Sequence, residues 1–431
     1  DLWARRKGLM LIGTGDFTHR KWREELAEKL VPADDGLYAL RPEFRQHAGV
    51  AGDGEATAPR FVVTGEISSI YKKNGRVRKV HNLIALPGLD AAERLAKRLE
   101  AIGNLHSDGR PILGLDSRDL MQIALDTCPD ALFIPAHIWT PHFSLFGAYS
   151  GFDAIEECFE DMTPHIAALE TGLSSDPAMN WRLSALDRFA LISNSDAHSP
   201  PNLAREANLF DTGLSYPAVA RSLGARDAGF LGTIEFFPEE GKYHLDGHRA
   251  CKACMQPAKT RACGGLCPVC GKKVTLGVLH RVEALADRPE GYVPPNARRY
   301  ERLVPLPELV AASLGVGPAS ARANGKYLGL LAALGPELFI LRQAPLSDIG
   351  REGGELVAEG VRRLRLGQVD IKPGYDGLYG VVSVMTGPPA GQLSFLTGGA
   401  PESAPAEAPG PAAEKGAEKA AGGMAEDLPY G

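Results

Sequence analysis

The chain has 431 residues, 44% of them hydrophobic and 23% charged, which is enough for two or three domains with sizeable cores. No apolar run approaches the length needed to cross a bilayer and no signal-peptide pattern opens the sequence, so the expectation is a cytoplasmic protein with no membrane partner. The formal net charge is −6, and the six acids and two lysines from Gly387 onward leave only −2 for the body. That balance neither requires nor excludes nucleic acid, because a local basic groove suffices.

In chain order, strand candidates are LMLIG (9–13), FVVTG (61–65), VHNLIAL (80–86), ALFIPA (131–136), IAALET (166–171), FALIS (189–193) and GTIEF (232–236). Amphipathic stretches lie between several of them, among them residues 90–103 and 117–127. Alternation of this kind predicts an α/β domain over residues 1–240, with a parallel sheet or a (β/α) barrel. Residues 241–285 change character. Cys251-x2-Cys254 and Cys267-x2-Cys270, 12 residues apart, are spaced as two knuckles of a tetrahedral zinc ribbon, with one structural zinc on four cysteines. A redox pair or a chance spacing is the alternative. Four of the seven cysteines in such pairs point to thiolates in a reducing compartment rather than to disulfides. Cys263 is a bystander, and Cys128 and Cys158 read as core residues.

Residues 286–380 read as a small helical C-terminal domain that is expected to contact DNA. LGVGPASA (314–321) fits either the glycine turn of a helix–hairpin–helix or a plain turn between helices. Arg362, Arg363 and Arg365 form a basic cluster that tracks a DNA backbone or is a solvated helix face. Residues 381–431 are rich in Ala, Pro, Gly and Glu and are expected to be a disordered tail.

The chemistry-bearing residues gather where strands end. Asp16 and His19 follow the first strand, and Glu66 follows FVVTG. His81 lies on the next strand, His137 follows ALFIPA, and Asp196 and His198 follow FALIS. In β/α barrels such ends converge on one face. So many carboxylates and imidazoles in one place call for divalent cations, Zn, Mg or Mn. Singly, each has a plain alternative: His81 as a satisfied core residue, Asp196 as a helix cap, His19 as a solvated side chain.

GTGDFTHRKW, TGEISSIYK, KVHNLIALPG, IPAHIWTPHFSLFG, ETGLSSDPAMNW and NSDAHSP resemble the endonuclease Q family, within the polymerase-and-histidinol-phosphatase (PHP) phosphoesterases. The likeness runs through TIEFFPEEGKYHLDGHR and the cysteines to about Gly380. It implies a PHP-type distorted (β/α) barrel followed by the four-cysteine zinc ribbon and the helical domain. It also implies a DNA-repair endonuclease that uses metal-activated water to cut 5′ of deaminated bases (uracil, hypoxanthine, xanthine) and of abasic sites. Its DNA partner is then DNA carrying deaminated or abasic nucleotides. By position, the metal ligands are Asp16, Glu66, His81, His137, Asp196 and His198, with Asp196 the central catalytic residue and His19 a weaker candidate. GLSSDPAMNW (172–181) is nominated as the lesion-sensing loop through Ser174, Ser175, Asn180 and Trp181. PHP proteins carry a His-x-His pair on their first strand, and none occurs in this sequence. The expectation is that this strand precedes Asp1. The rival readings are a PHP enzyme acting on a small phosphate ester and a non-catalytic nucleic-acid-binding protein with a degenerate metal site.

Overall fold

The computed structural model describes residues 1–106, 110–224 and 228–385. All seven expected strands form, and the protein is mixed α/β. The pairing differs from a purely parallel sheet. Strand Arg60–Lys73 runs antiparallel to Arg76–Leu86 from Val63↔Leu86 to Lys73↔Arg76. The turn between them is Asn74-Gly75, with φ of 53° and 72°. Two consecutive left-handed residues are what a two-residue hairpin loop demands, and Asn-Gly is the pair that supplies them. The signal stands in the sequence as KKNGR, so the hairpin is legible there.

This long strand is the hub of a seven-stranded sheet. It pairs in parallel with Leu11–Gly13 and Ile112–Leu113 and antiparallel with Tyr38–Leu40. Its hairpin partner pairs antiparallel with Leu132–Pro135. The strands that follow continue side by side: Leu132–Pro135 lies against Ala168–Glu170, which pairs in parallel with Ala190–Ile192, which lies against Phe230–Glu235. The helices Leu89–Glu100 and Ser117–Thr127 bury Ala92, Leu95, Leu99, Leu120 and Ala124 against Val80, Ile84 and Phe133. Their apolar residues recur at helical spacing, which aims one stripe at the sheet.

A second core gathers the C-terminal helices Leu306–Leu314, Ala321–Leu334, Glu337–Arg342 and Glu355–Arg365 around Leu309, Leu330, Ile340 and Val361. It also takes in Val50, Ala207, Ile234 and Phe237 from the first 240 residues. Strand Arg299–Arg302, within the stretch expected to be helical, pairs in parallel with Phe230–Glu235. Lys7 in the first helix meets Glu337 at 2.7 Å, and both are buried. Tyr327 and the backbone N–H of Leu306 also donate to that carboxylate, so the pair is hydrogen-bonded on both sides, the condition under which buried charge is tolerated. Val381–Ser383, placed in the expected tail, instead pairs with Asp370–Lys372. The remainder of that expected tail, 386–431, lies outside the described residues.

Candidate metal centres

Glu66 and His81 come from the two arms of the hairpin. Glu66 is registered with Leu83 and His81 with Ser68, so strand alternation puts both side chains on one face, two positions apart. His137 follows Leu132–Pro135 in a left-handed conformation, φ 29°. The three side chains converge: His81 Nδ1 lies 2.9 Å and His137 Nε2 3.3 Å from Glu66 Oε1, and the two imidazoles are 3.1 Å apart. Arg110 places its guanidinium on the same carboxylate oxygen and 2.8 Å from His81 Nδ1. Sequence reasoning missed Arg110, which sits in a segment with no periodic pattern.

The electrostatics follow from this packing. Burial pushes the Glu66 carboxyl up, but hydrogen bonds from His137 and His81 outweigh it and hold the group well below the usual range. Burial carries His81 down to about 4 against the pull of Glu66. Burial also depresses His137, yet the bond to Glu66 and the charges of Glu66, Asp196 and Glu170 lift it to about 9.

Asp196, φ 44°, and Asp16, φ 45°, share the left-handed conformation of His137. Non-glycine residues rarely adopt it, at a cost of order 1–3 kcal/mol each, and such strain concentrates at functional sites. Three of the nine positive-φ non-glycine residues among the described ones are therefore expected ligands. Asp196 acts on His137 through its charge, and Arg205 fixes its turn by donating to the carbonyls of Ser195 and Asp196 at 2.7 and 3.0 Å. Asp196, His198 and Asp16 stand exposed on their loops, outside the close group of Glu66, His81 and His137. His19 caps helix Arg20–Lys29 through Nδ1, a structural role.

Glu170 was also missed, although it ends the strand IAALET. It is buried, and its two oxygens reach different loops: Oε2 accepts the backbone N–H of His137 at 2.8 Å and Oε1 accepts Asn194 Nδ2 at 2.7 Å. Asn208 in turn holds Asn194 Oδ1 and the backbone of Ser193. One carboxylate thus ties the His137 turn to the turn that carries Asp196. Gly172, φ 63°, packs against the same histidine so closely that a Cβ would lie 2.5 Å from that of His137.

The nominated lesion loop divides. Ser175 and Asn180 are buried and committed to scaffold. Ser175 donates to the Thr171 carbonyl at 2.9 Å and accepts from Asn180 at 3.1 Å, and Asn180 accepts the Trp139 indole N–H at 2.7 Å. Ser174 and Trp181 are half-buried, and Trp181 meets Tyr300 edge-on at 5.6 Å. Of the basic cluster, Arg365 is structural, donating to the carbonyls of Leu341, Ile340 and Ala344.

The cysteine centre gathers Cys251, Cys267 and Cys270 with His248, one donor atom from each lying within 4.8 Å of all the others. Cys254, expected as the fourth ligand, is not in this group. The hairpin Asp246–His248/Ala253–Met255 explains why: His248 is registered with Ala253 and Cys254 with Gly247, so alternation turns Cys254 to the opposite face. His248-x2-Cys251 has the same spacing as a CxxC knuckle, which is the signal that could have found it. Burial pushes the Cys267 thiol up, but the backbone N–H groups of Val269 and Cys270 and the His248 side chain draw it down to about 6. That is the thiolate-stabilising geometry of a metal knuckle. Three sulfurs and one imidazole suit tetrahedral zinc, and the mixed N/O set around Glu66 suits Zn or Mn better than Mg, which prefers oxygen throughout.

No protein-family model matches the chain. Over 309 residues it is 32% identical to the uncharacterized protein YqxK of Bacillus subtilis, spanning 70% of this chain and 73% of that one. It is 28% identical over 253 residues to the uncharacterized protein MJ0043 of Methanocaldococcus jannaschii, covering 31% of that longer protein. Among solved structures, the lesion-specific endonuclease PfuEndoQ from Pyrococcus furiosus superposes with a TM-score of 0.76 at 28% identity over 88% of each chain. A structure of endonuclease Q with a 27-mer duplex substrate bearing an abasic lesion at the active site gives a TM-score of 0.74 at 28% identity, over 89% of this chain and 90% of that one.

Proposed function

The chain belongs to the endonuclease Q family, and from that premise we propose that it is a metal-dependent, lesion-specific DNA endonuclease that cuts 5′ of deaminated bases and abasic sites. The observation that carries the reading is the convergence of Glu66, His81 and His137 in a fold superposing on a lesion-specific endonuclease. Glu66, His81, His137 and Asp196 would hold the hydrolytic cation, with Asp16 and His198 on neighbouring loops as further ligands. A divalent cation there would lower the pKa of water toward neutrality and stabilise charge on the scissile phosphate. Asp196, exposed on its loop with its charge acting on His137, would orient the attacking water and accept its proton. Glu170 and Arg205 keep the two strained turns in position while this happens. For a cut leaving a 3′-OH, the leaving group is the O3′ of the preceding nucleotide. The cysteine centre would hold a structural zinc, and none of the seven cysteines is joined in a disulfide. No helix among the described residues is long and apolar enough to cross a membrane.

Lesion choice needs the damaged nucleotide out of the stack, where mispaired or missing bases are cheapest to extrude. Deamination then replaces an amine donor with a carbonyl acceptor, and a donor such as the Ser174 hydroxyl would accept uracil and reject cytosine. The test compares cleavage of otherwise identical duplexes holding cytosine, uracil, hypoxanthine or an abasic site at one position. Cutting of the last three, with the cytosine duplex spared, is expected. Equal rates on cytosine and uracil would overturn the repair reading.

A further inference from the structure

The loop that follows His137 has a feature that metal binding does not use. His142 and Tyr149 stack nearly parallel, ring centroids 4.5 Å apart at 11°, and both are exposed. Tyr149 is 52% accessible, against 38% for Phe44 and 37% for Phe339, the other exposed large aromatics among the described residues. Their surroundings are the reverse: Ser144, Leu145, Phe146, Gly147 and Ser150 are all buried.

The loop is also held rigidly. Tyr149 N–H donates to the Pro141 carbonyl at 3.2 Å. A Cβ at Gly147 would lie 2.6 Å from the Thr140 carbonyl oxygen, and one at Gly151 2.4 Å from the Gly147 nitrogen, so only glycine permits this folding. Arg281, from the helix Val278–Leu285 beside the cysteine centre, donates to the carbonyls of Phe146 and Phe152 at 2.9 Å each. An exposed aromatic pair on a fixed support presents a flat apolar face without an ordering penalty at binding.

The pair also lies against the metal-ligand cluster. Phe143, next to His142, packs on His81 at 4.8 Å, and Thr140 bridges His137 Nδ1 at 3.1 Å and the His142 carbonyl at 2.8 Å. Cations are interleaved with the rings. Lys79 Nζ stands 5.0 Å from the Phe143 centroid, and Lys242 Nζ stands 5.8 and 5.7 Å from Tyr243 and Tyr379. Tyr149 also feels the charges of Tyr243 and Asp376, which puts both side chains in its neighbourhood. Stacking rings with alternating ammonium groups match an unstacked polynucleotide, whose bases offer π-faces and whose backbone offers negative charge.

We infer that His142 and Tyr149 form a stacking platform for a nucleobase displaced from the duplex beside the cut phosphate. This rests on the nuclease reading for its substrate, but it assigns a binding site separate from the metal ligands. The experiment uses the full-length protein with Asp196→Asn as the common background, which keeps the DNA uncut without stripping the zinc of the cysteine centre, and a duplex with 2-aminopurine at the extruded position. Tyr149→Ala should weaken binding about 10- to 100-fold, in line with the 1–3 kcal/mol typical of one base–aromatic stack. It should also leave the bound 2-aminopurine brighter than with Tyr149 in place. Tyr149→Phe should retain affinity and quenching, and the salt slope should be the same in all three, because no phosphate contact is removed. Unchanged affinity and quenching in Tyr149→Ala, or equal losses in Ala and Phe, would overturn the platform. Failure of the unsubstituted protein to cut damaged duplex in metal would instead refute the nuclease reading.

Discussion

The two candidate metal centres are built from opposite kinds of sequence. The cysteine centre draws its donors from 23 consecutive residues, Cys251, Cys267, Cys270 and His248, on a short hairpin and a knuckle. The proposed hydrolytic centre draws Glu66 and His81 from a hairpin and His137 from the turn after a third strand, spread over 72 residues, and Glu170, 33 residues farther on, holds that turn. The first is a local device whose folding and metal binding are one event. The second exists only once the sheet is assembled, and its strained turns persist only while neighbouring groups hold them. Loss of a ligand should therefore unfold the first centre and merely disarm the second.

The largest expected effect is at the cysteine centre. A structural zinc is worth roughly 10 kcal/mol or more in small modules. Cys267→Ser and His248→Ala should each lose about one equivalent of zinc and expose residues 241–285 to protease, whereas Cys254→Ser should keep both zinc and resistance. Metal analysis with limited proteolysis decides it. Zinc loss in Cys254→Ser with zinc kept in His248→Ala would restore the four-cysteine set.

Next comes the strut. Glu170→Ala removes the acceptor for both the His137 N–H and Asn194. Outer groups that orient metal ligands typically contribute about 10- to 100-fold in affinity. Cation titration of the variant should show a loss of that size, with the zinc of the cysteine centre retained. Identical affinity would show that the His137 turn holds itself.

The smallest effect is on stability. Burial lifts the Glu240 carboxyl from 4.5 to about 9, and the charges of Glu308 and Glu239 add to it. Glu308 and Glu235 rise to about 8 for the same first reason. A carboxyl whose folded pKa is raised binds protons that the unfolded chain has already released, so stability falls as pH climbs through that window. Tm should drop between about pH 6 and pH 9, and Glu240→Gln should flatten the slope. A Tm that rises over this range would contradict it.

These comparisons also show what was legible in the sequence. The seven strands and the fold class were readable because apolar runs and amphipathic spacing are local. The antiparallel hairpin was readable from Asn74-Gly75, but strand–helix alternation pointed to parallel pairing instead. His248 was hidden because the CxxC pattern draws the eye to Cys254, and only the hairpin register shows that Cys254 faces away. Glu170 ends its strand as the expected ligands do, but its role as a strut is set by residues distant in the chain, and Arg110 carried no local signal at all. Ser175 and Asn180 looked functional because polar residues in a loop usually face solvent, whereas here they satisfy one another and Trp139 inside the protein.

The central claim is that the Glu66, His81, His137 and Asp196 set cuts damaged DNA with the help of a cation. The most direct measurement is single-turnover cleavage of an abasic duplex by the full-length protein and by Asp196→Asn, each with divalent metal and with EDTA, alongside gel-shift binding of the same duplex. The account predicts cutting only by the unsubstituted protein in metal, with the variant still binding DNA and retaining the zinc of the cysteine centre. Substantial cutting by Asp196→Asn, or undiminished cutting in EDTA, would contradict it.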